Sequence, residues 1–244
     1  MEGFKKWSYF LPNIFTAMNM SCGFVSVMLT IQGNYYGACV ALILGAIFDS
    51  VDGRIARLTG TQSSFGEQFD SLSDLVSFGM APAILYYYKF LLTFDRIGMV
   101  VSFLFLLCTA LRLARFNANL DKISSNFFQG LPSPMGAMGI VGFTLLTLKF
   151  QILNKQTVLV FFNILFYSFL MISNIPFTSF KNSSWVQKHK NWSLLILLIL
   201  FLSVFVYEYI MISLILTVYV ISSFVYFAFN RKKLPIQIES KHEP

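Results

Sequence analysis

Residues 38–74 read ACVALILGAIFDSVDGRIARLTGTQSSFGEQFDSLSD. The segment is apolar from Ala38 to Phe48, and Asp49 and Asp52 follow with no glycine or proline between Phe48 and Asp52 to end the helix that the run predicts. Both acids therefore sit on a membrane-type helix and not in a solvated loop. An ionised carboxylate costs roughly 2.5–3.5 kcal/mol at the bilayer centre and persists where pairing or function compensates it. Thr59-Gly60 and Ser63-Ser64 break the pattern, and a second apolar run begins at Phe69, carrying Asp70 and Asp74 at its start. The short connection predicts two antiparallel neighbouring helices with acidic residues at the same end.

Working outward, the whole chain shows the same character. Of its 244 residues 56% are hydrophobic and 12% charged, too little polar surface for a water-soluble globule. Apolar runs at about 10–32, 36–58, 70–90, 97–117, 134–150, 157–174, 193–207 and 210–229 predict an all-α polytopic membrane bundle of about eight spans. Residues 1–231 form the transmembrane domain and 232–244 a flexible polar tail. Fourteen of the 18 Lys and Arg fall on the side that holds both termini and the loops after the second, fourth and sixth spans. The positive-inside rule makes that side cytoplasmic, in a cell (inner) membrane. It also accounts for the formal charge of +7 without nucleic acid, by basic loops facing anionic membrane lipids. Cys22, Cys39 and Cys108 lie in apolar runs with no metal-ligand or CxxC spacing, so they read as packing residues.

Five of the 11 acidic residues, Asp49, Asp52, Glu67, Asp70 and Asp74, fall within the window 49–74. Residues three or four apart on a helix share a face, so Asp49 converges with Asp52 and Asp70 with Asp74. Four carboxylates in one pocket repel unless cations enter, and hard oxygen donors select Mg2+ or Mn2+, with Ca2+ a third candidate, over zinc. Gly53 and Ala56 leave room beside the acids, Arg57 can fork onto phosphate oxygens, and Ser63, Ser64 and Gly66 make the intervening loop small and rich in donors. Glu67 reads as loop charge and stays outside the site.

These residues reproduce DxxDGxxARx8GxxxDxxxD, from Asp49 through Asp52, Gly53, Ala56, Arg57, Gly66 and Asp70 to Asp74. The chain thereby resembles the CDP-alcohol phosphatidyltransferase family. Leu11-Pro12-Asn13 with Thr16, Asn19 and Gly23, Ser77 to Ala83, Arg112 to Asn117 and Gly130 to Pro134 look like its membrane-embedded phosphatidylserine synthase branch. The resemblance implies transfer of the phosphatidyl group of CDP-diacylglycerol to L-serine, giving phosphatidylserine and CMP, with a pair of Mg2+ or Mn2+ ions and a homodimer. It assigns Asp49, Asp52, Asp70 and Asp74 as metal ligands, Asp74 also as the base, and Asn13, Thr16, Gly53, Arg57 and Ser63 to the CDP-lipid. The active site would lie at the cytoplasmic end of the bundle.

Charge placement adds Arg112 and Arg115, three apart at the cytoplasmic end of the fourth run, as candidates for the serine carboxylate. The plainer reading of both is topology anchors that snorkel to the headgroups. Other acceptors, glycerol 3-phosphate or inositol phosphate, fit the same chemistry, although a phosphorylated acceptor should demand more clustered basic residues. A divalent-cation transporter also places carboxylates in the membrane, but here no acids continue a path through the outer halves of the runs. His189 and His242 read as solvated side chains.

Overall fold

The computed structural model describes residues 2–61, 63–118, 127–151, 157–178 and 206–230, together with 199, 202 and 203. Helix α1 (Glu2–Ile31) and helix α2 (Tyr35–Thr59) form an antiparallel hairpin. Asn34 caps α2 through its side chain, which accepts from the Gly37 N–H at 2.9 Å, and Gly60 ends it in the left-handed conformation at φ 63°. Helix α3 (Ser64–Asp74) starts on a Ser63 cap and passes without a break through a π-helical Leu75–Met80 into helix α4 (Ala81–Tyr86). The widened turn has an identifiable cause. Pro82 has no N–H to give the preceding turn, and the Ala81 N–H reaches back to the Val76 carbonyl instead.

A second π-helical turn (Tyr87–Leu91) and Leu92–Phe94 lead to Asp95, at φ 45°, where the chain reverses into helix α5 (Asp95–Ala118). The hairpin closes tightly. A Cβ on Gly98 would collide with the Leu91 carbonyl, and a Cβ on Gly79 would lie 3.1 Å from Leu106 Cδ1. Helix α6 (Ser133–Lys149) is buried on nearly every side and separates two apolar clusters, as expected of a helix hydrophobic all round. One cluster joins Phe105, Ile140, Ile164 and Met171; the other joins Leu42, Leu85, Val141 and Leu216. Helices α7 (Thr157–Ile172) and α8 (Glu208–Asn230) pack on α6 through its glycines: the Gly139 face meets the Tyr167 ring, and a Cβ on Gly142 would lie 2.6 Å from Ser213 Oγ.

Among the described residues three stretches are long and apolar enough to cross a membrane, Pro12–Ile31, Ser64–Ala118 (folded at Asp95) and Tyr209–Phe227. The runs expected at 36–58, 134–150 and 157–174 also form helices, α2, α6 and α7. Most of the expected span at 193–207, the tail 232–244 and both histidines lie outside the described residues. One feature departs from an all-helical expectation. Phe127–Gln129 (β1) pairs antiparallel with Pro176–Thr178 (β2), so the polar stretch between α5 and α6 is tied to the segment after α7.

Candidate functional site

The α1–α2 hairpin and the start of α3 enclose a cavity of about 570 Å³, counting its part open to solvent. Its lining includes Asn13, Thr16, Asp52, Gly53, Arg57, Ser63 and Asp70. Every residue that the resemblance assigns to the CDP-lipid is therefore on one wall or another. Ser63 also starts α3, because its Oγ accepts the Gly66 N–H at 3.1 Å. The start of α3, through Ser63, Gly66 and Glu67, thus borders the cavity, and a helix N-terminus favours anions. A Cβ built on Gly53 would have Arg57 Nη2 as its nearest neighbour, at 4.0 Å, so the glycine keeps the cavity open beside the guanidinium.

Behind this cavity the acids draw together. One carboxylate oxygen from each of Asp49, Asp70 and Asp74 lies within 4.8 Å of the other two, and Asp70 belongs both to this group and to the cavity wall. Asp70 Oδ1 is buried with no hydrogen-bond partner. Three carboxylates at this spacing, one with an orphaned oxygen, fit a hard divalent cation, because such an ion supplies both the missing partner and the missing charge. Asp52 is placed differently. Its Oδ2 accepts from Thr16 Oγ1 at 2.9 Å, and that hydroxyl also lies 3.1 Å from the Pro12 carbonyl, so one proton is shared between two acceptors.

The acids are held by α1. Ser73 Oγ donates to the Thr16 carbonyl at 2.9 Å and Ser77 Oγ to the Asn19 carbonyl at 2.8 Å. A Cβ on Gly23 would sit 2.8 Å from Ser77 Cα, so α1 and the π-helical turn are nearly in backbone contact. Fully buried Asn19 donates from Nδ2 to Asp74 Oδ1 at 3.3 Å. The sequence marks Asn19 only as part of the family likeness, not as a site residue. Its place three residues after Thr16, which itself follows Asn13 by three, is the signal that it neighbours Thr16 on the helix surface.

The two arginines part company. Arg112 is 9% exposed, within electrostatic reach of Asp74 and Asp49, and donates from Nη1 to Ser133 Oγ; its Nε is buried without a partner. Arg115 turns to α7 and β1, donating to the carbonyls of Gln129, Met171, Ile172 and Ser173 and to Asn174 Oδ1. Neither lines the cavity.

A family model described as CDP-alcohol phosphatidyltransferase matches residues 9–178. A Helicobacter pylori protein named CDP-diacylglycerol–serine O-phosphatidyltransferase is 39% identical over 196 residues, 80% of this chain and 81% of its own length. A Methanocaldococcus jannaschii protein of the same name is 37% identical over 171 residues, 70% of this chain and 75% of its own. An archaetidylserine synthase from Methanothermobacter thermautotrophicus is 44% identical over 137 residues, 55% of this chain and 58% of its own.

Proposed function

The chain belongs to the CDP-alcohol phosphatidyltransferase family and is a phospholipid-biosynthesis enzyme, and we propose that it transfers the phosphatidyl group of CDP-diacylglycerol to L-serine, releasing CMP. The observation that carries this reading is the order of groups across the site. The cavity with Asn13, Gly53 and Arg57 shares Asp70 with the Asp49–Asp70–Asp74 group, and Arg112, a cation suited to a carboxylate-bearing acceptor, lies within electrostatic reach of Asp74 and Asp49 without lining that cavity. The names of the relatives support serine. Among the described residues no feature favours the transporter alternative over this one.

Asp49, Asp70 and Asp74, with Asp52 on the adjoining cavity wall, would hold the Mg2+ or Mn2+, which when bound neutralises the pyrophosphate and polarises the phosphorus. The chain's own residues do the rest. Arg57 and the N-terminal end of α3 bind phosphate oxygens, while Gly53 leaves space for the nucleotide. Arg112 holds the serine carboxylate and orients the hydroxyl toward the phosphorus. Asp74, fixed by Asn19, accepts the hydroxyl proton as the serine oxygen forms its bond to the β-phosphorus and the bond to the CMP oxygen breaks. Small buried contacts between α1 and the residues on either side of Asp74 keep these groups from drifting, which matters where positioning supplies most of the rate. The membrane frame belongs to the same proposal: about eight spans, a cell (inner) membrane, cytoplasmic termini and active site, and a homodimer.

Purified protein given CDP-diacylglycerol, Mg2+ or Mn2+, and each acceptor in turn should release CMP with L-serine and form phosphatidylserine detectable by mass spectrometry. CMP release with glycerol 3-phosphate or inositol phosphate and none with serine overturns the acceptor assignment. Mn2+ uptake into liposomes without CMP release overturns the reaction.

A further inference from the structure

Helix α7 ends at Ile172, and the last four carbonyls of a helix have no partner within it. Such carbonyls are satisfied by side chains, by backbone donors of other segments or by water. All four are satisfied here. Phe169 O accepts from the Ser173 N–H at 3.0 Å, and Leu170 O accepts from the Leu131 N–H at 3.0 Å and the Ser173 hydroxyl at 2.8 Å. Met171 O and Ile172 O accept from Arg115 at 3.2 and 3.0 Å. A cation at this helix end also meets the negative pole of its dipole.

The same guanidinium holds Gln129 O at 2.8 Å, Asn174 Oδ1 at 3.2 Å and Ser173 O at 3.3 Å. Both of its terminal nitrogens are thus engaged by oxygens of the protein itself. Gly130 completes the knot. Its φ is 79°, its N–H donates to Ile175 O at 3.0 Å, and a Cβ there would lie 2.5 Å from Met171 O and 2.9 Å from Arg115 Nη2. Leu131 follows, fully buried, and then Pro132 and fully buried Ser133, whose Oγ accepts from Arg112.

We propose that Arg115 is a positioning residue that locks Gln129–Ser133 onto the C-terminal end of α7 and reaches the acceptor only through the contact of Ser133 with Arg112. The proposal rests on the reading of Arg112 as the acceptor's carboxylate site. It replaces a pair of equivalent arginines with one that binds and one that braces.

The test is a set of cycles in the full-length enzyme, read as serine KM, CDP-lipid KM, kcat and melting temperature. Arg115→Gln and Gly130→Ala should each raise serine KM about tenfold, with CDP-lipid KM within about twofold and the double variant no worse than the weaker single, because both break one knot. Ser133→Ala should raise serine KM with little change in melting temperature, and Arg115→Lys should recover part of the Gln loss. In an Arg112→Lys background, Arg115→Gln should add less than about twofold.

Independent, multiplying effects of Arg112 and Arg115 on serine KM overturn the proposal, as does an unchanged serine KM in Gly130→Ala. If Arg115→Gln is too unstable to assay, Gly130→Ala and Ser133→Ala, each combined with Arg112→Lys, carry the same decision. An unchanged acceptor KM in Arg112→Lys instead removes the acceptor-site reading. The brace is then judged alone: a lower melting temperature in Arg115→Gln, partly restored by lysine, keeps it, and an unchanged one discards it.

Discussion

The acidic and the basic pairs of this protein have similar spacing on their helices and different fates. Asp70 and Asp74, four apart, stay together and are joined by Asp49 from the neighbouring helix, whereas Arg112 and Arg115, three apart, send their guanidinium groups to different places. Side-chain length accounts for the contrast. An aspartate carboxylate stays close to its own backbone, so the helix face nearly fixes where it goes. An arginine has a long flexible stem and five donors, so its destination is set by whichever acceptors lie within reach. The C-terminal carbonyls of α7 are such acceptors, and they hold Arg115. Asp52 is the partial exception among the acids, because Thr16 offers it a nearer donor.

The largest effect should come from breaking the acidic side. Asp70→Asn or Asp49→Asn should lower CMP release by roughly a thousandfold, since charge stabilisation at the reacting centre is commonly worth that much. The fold should survive, because removing one of several like charges relieves repulsion in the metal-free protein. At a Mn2+ concentration about a hundred times its dissociation constant, the ion should stabilise the native protein by about 2.7 kcal/mol, a gain read as a higher melting temperature and lost in Asp70→Asn. Arg115→Gln should show the opposite pattern, a weakened fold with the metal response intact. Native-level turnover in either Asn variant ends the argument for the cluster.

Gly53→Leu attacks the cavity without removing a charge. A Cβ at this position meets only Arg57 Nη2, at 4.0 Å, so the larger side chain should fold normally and occupy the room left for the nucleotide. kcat/KM for the CDP-lipid should fall about a hundredfold, a loss near 2.7 kcal/mol, while the melting temperature stays constant. An unaffected CDP-lipid kcat/KM would move the nucleotide elsewhere.

Much of this is readable in the chain itself, and for physical reasons. Hydropathy locates α1, α2 and the α3–α5 hairpin, and the acids converge because helical spacing and a short connection leave them little choice. Asn19 is half legible: its place beside Thr16 follows from spacing, but its bond to Asp74 depends on how closely Gly23 lets the helices approach. The brace at Arg115 and the β1–β2 pairing are not legible. Both join residues more than forty positions apart, and no periodicity in either segment records the partner. Asn19→Ala tests the half-legible case. It should reduce kcat about tenfold through misplacement of Asp74, with both substrate KM values within about twofold.

Thr16→Val should give the smallest effect, and it examines why Asp52 stands apart from the other acids. The Thr16 hydroxyl shares its single proton between Asp52 and the Pro12 carbonyl, so the carboxylate receives less than a full charge-assisted hydrogen bond. Valine keeps the shape of the side chain, and the Thr16 backbone stays pinned because Ser73 bonds its carbonyl, not its hydroxyl. Losing about 1 kcal/mol of support for Asp52 corresponds to about a fivefold rise in the Mn2+ concentration needed for half-maximal rate. The KM for serine should stay within about twofold, and a change in the CDP-lipid KM would report the place of Thr16 on the cavity wall. A hundredfold loss of turnover would mean that Thr16 acts on the substrate itself. A lower metal requirement would mean that the hydroxyl holds Asp52 away from the ion, so that Asp52 joins the other three carboxylates once released.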